Sequence, residues 1–105
     1  MPKLFTYLGI TIFFYSNEHE PIHVHGTFGG RETKAEIILF DGVIREIKLK
    51  DKGPGLEGKK RKKFEEFVHS YAKDIVEKWV DFFVMKKSIT SQIITKKVKN
   101  VKRIG

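Results

Sequence analysis

Asp41-Gly42 stands between Thr33–Phe40 and Val43–Lys50, two runs rich in aliphatic and β-branched residues. Both central residues of a two-residue primed turn need positive φ, which Asp and Gly tolerate best, so the pair predicts an antiparallel hairpin. Unbroken pairing across that turn sets Phe40 opposite Val43, Ile38 opposite Arg45 and Glu36 opposite Ile47. Leu39 then faces Ile44 on the other side. Neither face is cleanly polar, so one face is expected under a helix and the other partly covered.

The remaining segments supply what the hairpin needs to pack against. Tyr7–Ser16 (YLGITIFFYS) is aromatic and β-branched, which favours one strand, apolar on both faces and central in a sheet. Asn17 to Ile22 reads as a turn broken by Pro21, and His23–Phe28 as a second strand ended by Gly29-Gly30. Asp51–Gly58 (DKGPGLEG) reads as a loop. From Lys59 to about Lys87, Phe64, Phe67, Val68, Tyr71, Ile75, Trp79 and Phe82 recur at helical spacing and form one apolar stripe. After Ser88 the β-branched residues predict one late strand or two short ones. The expected architecture is α+β: a mainly antiparallel sheet of four or five strands on one long α-helix. Residues 1–105 form one expected domain, with 88–105 a basic C-terminal strand or tail.

Charge divides the chain. Residues 1–50 carry six Lys/Arg and six Asp/Glu, whereas residues 51–105 carry fifteen and seven, so the whole net charge of +8 lies in the second half. Such segregation attracts polyanions, nucleic acid first and an acidic protein next. There is no cysteine, which removes disulfides and thiolate metal sites. The opening Met-Pro-Lys-Leu-Phe-Thr-Tyr lacks the apolar run of a secretion signal, and no stretch approaches membrane-spanning length. The expectation is a cytoplasmic protein without a membrane partner.

His19, His23 and His25 fall within seven residues, in Glu18-His19-Glu20-Pro21-Ile22-His23-Val24-His25. His23 and His25 are two apart on a predicted strand and so share one face, with Cα atoms about 6–7 Å apart. His19, across the Pro21 turn, is placed to fold back beside them. Two chemistries fit. In one, metal-independent, two imidazoles act as general base and general acid on a phosphodiester while Arg31 steadies the charge on phosphate, followed by Lys34. In the other, His19, His23 and His25 hold Zn²⁺ or Fe²⁺, with Glu18 or Glu20 as a further donor. A cupin motif is excluded, because Gly29 and Gly30 occupy the positions where its glutamate belongs.

Lys59, Lys60, Arg61, Lys62 and Lys63 open the predicted helix. Five cations there oppose the helix macrodipole, so local stability does not explain them, and contact with nucleic-acid phosphates or with an acidic protein is expected. Trp79 and the phenylalanines belong to the core stripe, and His69 to its edge. Gly53-Pro54-Gly55 lacks the lysine and hydroxyl spacing of a phosphate-binding loop.

Gly9-Ile10-Thr11-Ile12, the aromatics after it and the Glu18–His25 motif together resemble a family of small bacterial proteins known as domain of unknown function 4160. The resemblance covers about residues 4–82, and the family's helix tryptophan corresponds to Trp79. Ile22 replaces a usual second proline, and the basic tail after Lys86 is longer than usual. Family members are often encoded beside a second small protein, an arrangement similar to a toxin–antitoxin pair. The resemblance therefore implies a toxin component whose histidines matter for activity. The leading expectation from the residues is a protein that acts on or binds RNA or DNA through His19, His23 and His25, with a small acidic antitoxin-like partner and room for a homo-oligomer. A non-enzymatic protein-binding or metal-binding module is the competing expectation.

Overall fold

The Asp41-Gly42 hairpin forms as its turn chemistry requires. Arg31–Phe40 and Val43–Lys52 are antiparallel strands, with Asp41 at φ 57° and Gly42 at φ 79°. They belong to a sheet seen in a computed structural model that describes residues 2–98. The strands are β1 (Lys3–Tyr7), β2 (Ile10–Phe13), β3 (His23–Phe28), β4 (Arg31–Phe40), β5 (Val43–Lys52) and β6 (Gln92–Ile94). Their order is β5-β4-β3-β2-β1-β6, antiparallel except that β6 runs parallel to β1. The expected α+β class with a mainly antiparallel sheet stands, with six strands in place of four or five. Of the expected basic tail, 99–105 lies outside the described residues.

The extra strand comes from the N-terminal segment. Tyr7–Ser16 is not one strand: Leu8 (φ 50°) and Gly9 (φ 82°) make a two-residue turn, and Tyr7 pairs with Ile10 across it. Lys60 donates to the Leu8 carbonyl at 2.6 Å, which ties this turn to the helical layer.

The helical layer is also divided. The single long helix is replaced by α1 (Gly58–Ser70) and α2 (Ala72–Trp79), followed by a π-helical turn over Val80–Val84. Tyr71 separates α1 from α2 at φ −107° and ψ 17°. Its ring stacks on Phe67 at 4.3 Å and meets Phe5 at 5.3 Å, so packing against the sheet sets the break. The apolar stripe runs across it, with Phe64, Phe67, Val68, Ile75 and Trp79 all buried. These side chains cover one sheet face, where Phe67 meets Phe5 and Tyr7.

The β4–β5 register departs from unbroken pairing. Phe40 opposes Val43 and Leu39 opposes Ile44, but Ile38 then opposes Glu46, leaving Arg45 as a bulge. Glu36 consequently faces Lys48 rather than Ile47. One extra residue on one strand moves every later side chain to the other face. Ile44 thus lies on the helix side, and Lys48, Lys50 and Lys52 lie on the face opposite the helices.

Candidate functional site

Alternation along β3 sends Val24 and Gly26 toward the helices and His23 and His25 to the opposite face. The register carries that division across the sheet: His23 pairs with Glu36 and Glu36 with Lys48, and in the next row His25 pairs with Lys34 and Lys34 with Lys50. One row further on, Thr27 pairs with Glu32 and Glu32 with Lys52. The open face is therefore a grid of histidine, carboxylate and ammonium groups. The segment from Tyr15 to Pro21 folds over its inner edge and brings Glu18 onto the histidines.

One oxygen is the focus. Glu18 Oε2 lies 2.8 Å from His23 Nε2 and 2.6 Å from His25 Nε2. Among the described residues, Glu18, His23 and His25 are the group whose donor atoms converge, all within 4.8 Å of one another. The Tyr15 backbone N–H donates to Glu18 Oε1 at 3.1 Å and steadies the carboxylate. His23 Nδ1 donates to the Pro21 carbonyl at 2.7 Å. His25 Nδ1 lies 2.9 Å from Glu32 Oε2 but out of hydrogen-bonding alignment, so this buried nitrogen has no bonded partner. Glu32 in turn accepts from the Tyr15 hydroxyl at 3.1 Å.

Aromatic rings enclose both imidazoles. Phe13 stacks on His25 at 5.3 Å, Tyr15 meets it edge-on at 4.5 Å, and Trp79 lies 5.3 Å from His23. His25 is 2% exposed and His23 is 7% exposed. Burial holds His25 below the ordinary imidazole range, against the pull of Glu18 and Glu32. Burial also acts to raise Glu18. Its bonds with His25 and His23 outweigh that and leave its carboxyl below the ordinary range. The resting centre is thus an ionised carboxylate against a neutral His25.

The centre floors a cleft of about 350 Å³ lined by Glu18, His23, His25, Lys34, Lys50, Asp51 and Lys52. Lys34 and Lys50 each reach Glu36 at 3.4 Å, and Lys52 sits 4.4 Å above the Tyr15 ring. A larger cavity of about 740 Å³ lies between the hairpin tip and the helices. Leu39, Val43, Ile44 and Val76 line it, and it lacks a convergent donor set. The converging donors line the smaller cleft.

The residues expected at the site are only partly brought together. His23 and His25 share the focus. His19 is on the covering segment and outside the converging group, where Glu18 supplies the third donor. Arg31 pairs with Phe28, about 10 Å along the strand from His25. Its guanidinium donates to the Gly55 carbonyl at 2.6 Å and meets Glu57 at 3.3 Å, so it holds the β5–α1 loop. The pentad opens α1 on the helix side. Lys60 is committed to Leu8 and to the Phe28 ring at 4.2 Å, Lys63 meets Glu66, and Lys59 and Lys62 are exposed. Arg61 pairs with Asp51, a residue of the cleft wall.

The sequence pattern of a family described as a domain of unknown function (DUF4160) matches residues 9–80. The chain belongs to this family. No curated protein and no solved structure matches it. The DUF4160 match spans the whole converging group, from Glu18 to His25, together with both strands that carry the lysines. Tyr15, Glu32, Lys50 and Lys52 are functional candidates that sequence reasoning missed in this DUF4160 chain. Their signal was Lys48-x-Lys50-x-Lys52 set beside Glu32-x-Lys34-x-Glu36, two period-two charge patterns on neighbouring strands.

Proposed function

We propose that this chain acts on nucleic acid in the cytoplasm, as the toxin component of a toxin–antitoxin-like pair, and that the reaction takes place in the cleft above Glu18, His23 and His25. One observation carries the reading: two buried imidazoles and a carboxylate converge under a rim of Lys34, Lys50 and Lys52. Three ammonium groups beside a reactive centre suit a phosphodiester, whose charge grows as the phosphorus is attacked. Lys50 and Lys52 keep more than half of their side-chain surface in water, at 57% and 59%, and can turn from their carboxylate partners to a phosphate. The pentad opens α1 on the helix side, and its Arg61 pairs with Asp51 of the cleft wall.

Binding of a labelled single-stranded RNA at about 50 mM salt, where phosphate contacts are strong, tests the proposal. Replacing Lys34, Lys50 and Lys52 with alanine weakens binding. It also lowers the slope of log affinity on log salt by about one for each phosphate that no longer meets an ammonium group. Cleavage of the RNA, and growth arrest on expression, disappear in Glu18→Gln. An RNA affinity unchanged by the triple substitution, or cleavage surviving Glu18→Gln, overturns the reading.

A further inference from the structure

The hydrogen-bond partners of the two imidazoles pose a problem of protons. The Pro21 carbonyl can only accept, so His23 Nδ1 carries a proton, and with a single proton on the ring the Nε2 lone pair is turned toward Glu18 Oε2, 2.8 Å away. For His25, a proton on Nε2 satisfies Glu18 but leaves the Nδ1 lone pair buried against the Glu32 carboxylate, 2.9 Å away. With one proton on each ring, acceptors face acceptors at both, and His25 Nδ1 is buried without a partner. A cation seated among Glu18 Oε2, His23 Nε2 and His25 Nε2 resolves both. It takes the two Nε2 lone pairs, and the His25 proton moves to Nδ1, where Glu32 stands to receive it.

From this we infer that Glu18, His23 and His25 form a binding site for one divalent first-row metal ion of the zinc and iron class. Two imidazoles with one carboxylate suit such ions, and leave coordination positions open toward the cleft. Metal–ligand bonds of about 2.0–2.2 Å place neighbouring donors about 2.8–3.6 Å apart between octahedral and tetrahedral angles, so the 2.6 and 2.8 Å separations widen by a few tenths of an ångström or more on binding. The outer shell has the form metal-binding histidines use, each remote nitrogen facing a backbone carbonyl or a carboxylate. Glu32 is itself oriented by the Tyr15 hydroxyl. Phe13, Tyr15 and Trp79 shield the donors from water. Glu18, Glu32 and Glu36 offset Lys34, Lys50 and Lys52, so the surrounding charge does not repel a dication.

The inference deepens the nucleic-acid reading by naming a cofactor at the same centre, and it is tested without substrate. Co²⁺ and Zn²⁺ are titrated into metal-stripped protein, followed by the visible Co²⁺ spectrum, calorimetry and the thermal midpoint. One equivalent binds per chain, with Co²⁺ absorption bands of a nitrogen–oxygen site and a raised midpoint. Glu18→Gln, on the covering segment, weakens binding at least tenfold, Glu32→Gln weakens it about 10–100-fold, and His19→Ala leaves it unchanged. The Lys34, Lys50 and Lys52 triple variant keeps one equivalent while losing RNA affinity, which separates failure of the metal site from failure of the nucleic-acid reading. Folded wild-type protein that takes up no metal at 100-fold excess overturns the inference. So does binding that survives Glu18→Gln but is lost in His19→Ala.

Discussion

Gly26 sits directly against Phe64: a Cβ at position 26 would lie 2.5 Å from Cε1 of that ring. The contact is where α1 presses on the middle of β3, one residue beyond His25. Phe64 is fully buried. Gly26→Ala therefore overpacks the interface and costs about 1–3 kcal/mol, read from the midpoint of denaturant unfolding. Trimming the ring in Gly26→Ala/Phe64→Leu recovers part of the loss. Independent, additive losses would show that the two positions are not coupled.

Trp79 closes the other end of this interface, packed against Phe14, Phe83 and His23. At 3% exposure its removal leaves a cavity beside the histidine centre. Trp79→Ala is expected to cost about 3–5 kcal/mol, as large aromatic truncations do. A thermal or denaturant midpoint close to wild type would refute the packing.

Thr33 holds the loop between β5 and α1. Its hydroxyl donates to Asp51 at 3.0 Å and accepts from the Leu56 N–H at 2.9 Å. Thr33→Val keeps the shape and leaves the buried N–H without an acceptor, a loss of about 1–3 kcal/mol. Faster hydrogen exchange at the Leu56 amide is the local signature, and Thr33→Ser, which keeps the hydroxyl, preserves slow exchange.

Glu36 makes part of the stability depend on pH. Burial acts to raise its pKa, but hydrogen bonds from Lys50 and Lys34 outweigh it and hold the carboxyl below its ordinary value. A carboxyl depressed in the folded state adds stability above its unfolded pKa, about 4.3, and that contribution drains as pH falls through the folded value. The stability gap between wild type and Glu36→Gln should be full at neutral pH and close in acid. A gap that is constant from about pH 7 to about pH 3, across the range in which the carboxyl takes up its proton, would exclude the ion-pair origin.

Much of the frame can be read from local chemistry. Asp41-Gly42 marks its turn, the stripe from Phe64 to Trp79 marks the helical layer, and His23-x-His25 marks a shared strand face. The hidden parts depend on contacts distant in sequence. Leu8 adopts positive φ although nothing in its side chain favours it, and Lys60 from α1 caps its carbonyl. Tyr71 ends α1 without glycine or proline because its ring is drawn onto Phe67 and Phe5. Glu18 displaces His19 from the centre because the covering segment turns only one of the two inward. Adjacency in sequence cannot tell which.

The bulge at Arg45 gives β5 a parity. Beyond it, loss or gain of two residues slides the lysine row along β4 yet keeps it on the cleft side. Loss or gain of one residue would bring Ile47 and Leu49 to the open face and bury ammonium groups beneath α1 and α2. Length variation in this strand among related chains should therefore come in even steps, or as odd steps matched by gain or loss of the bulge itself.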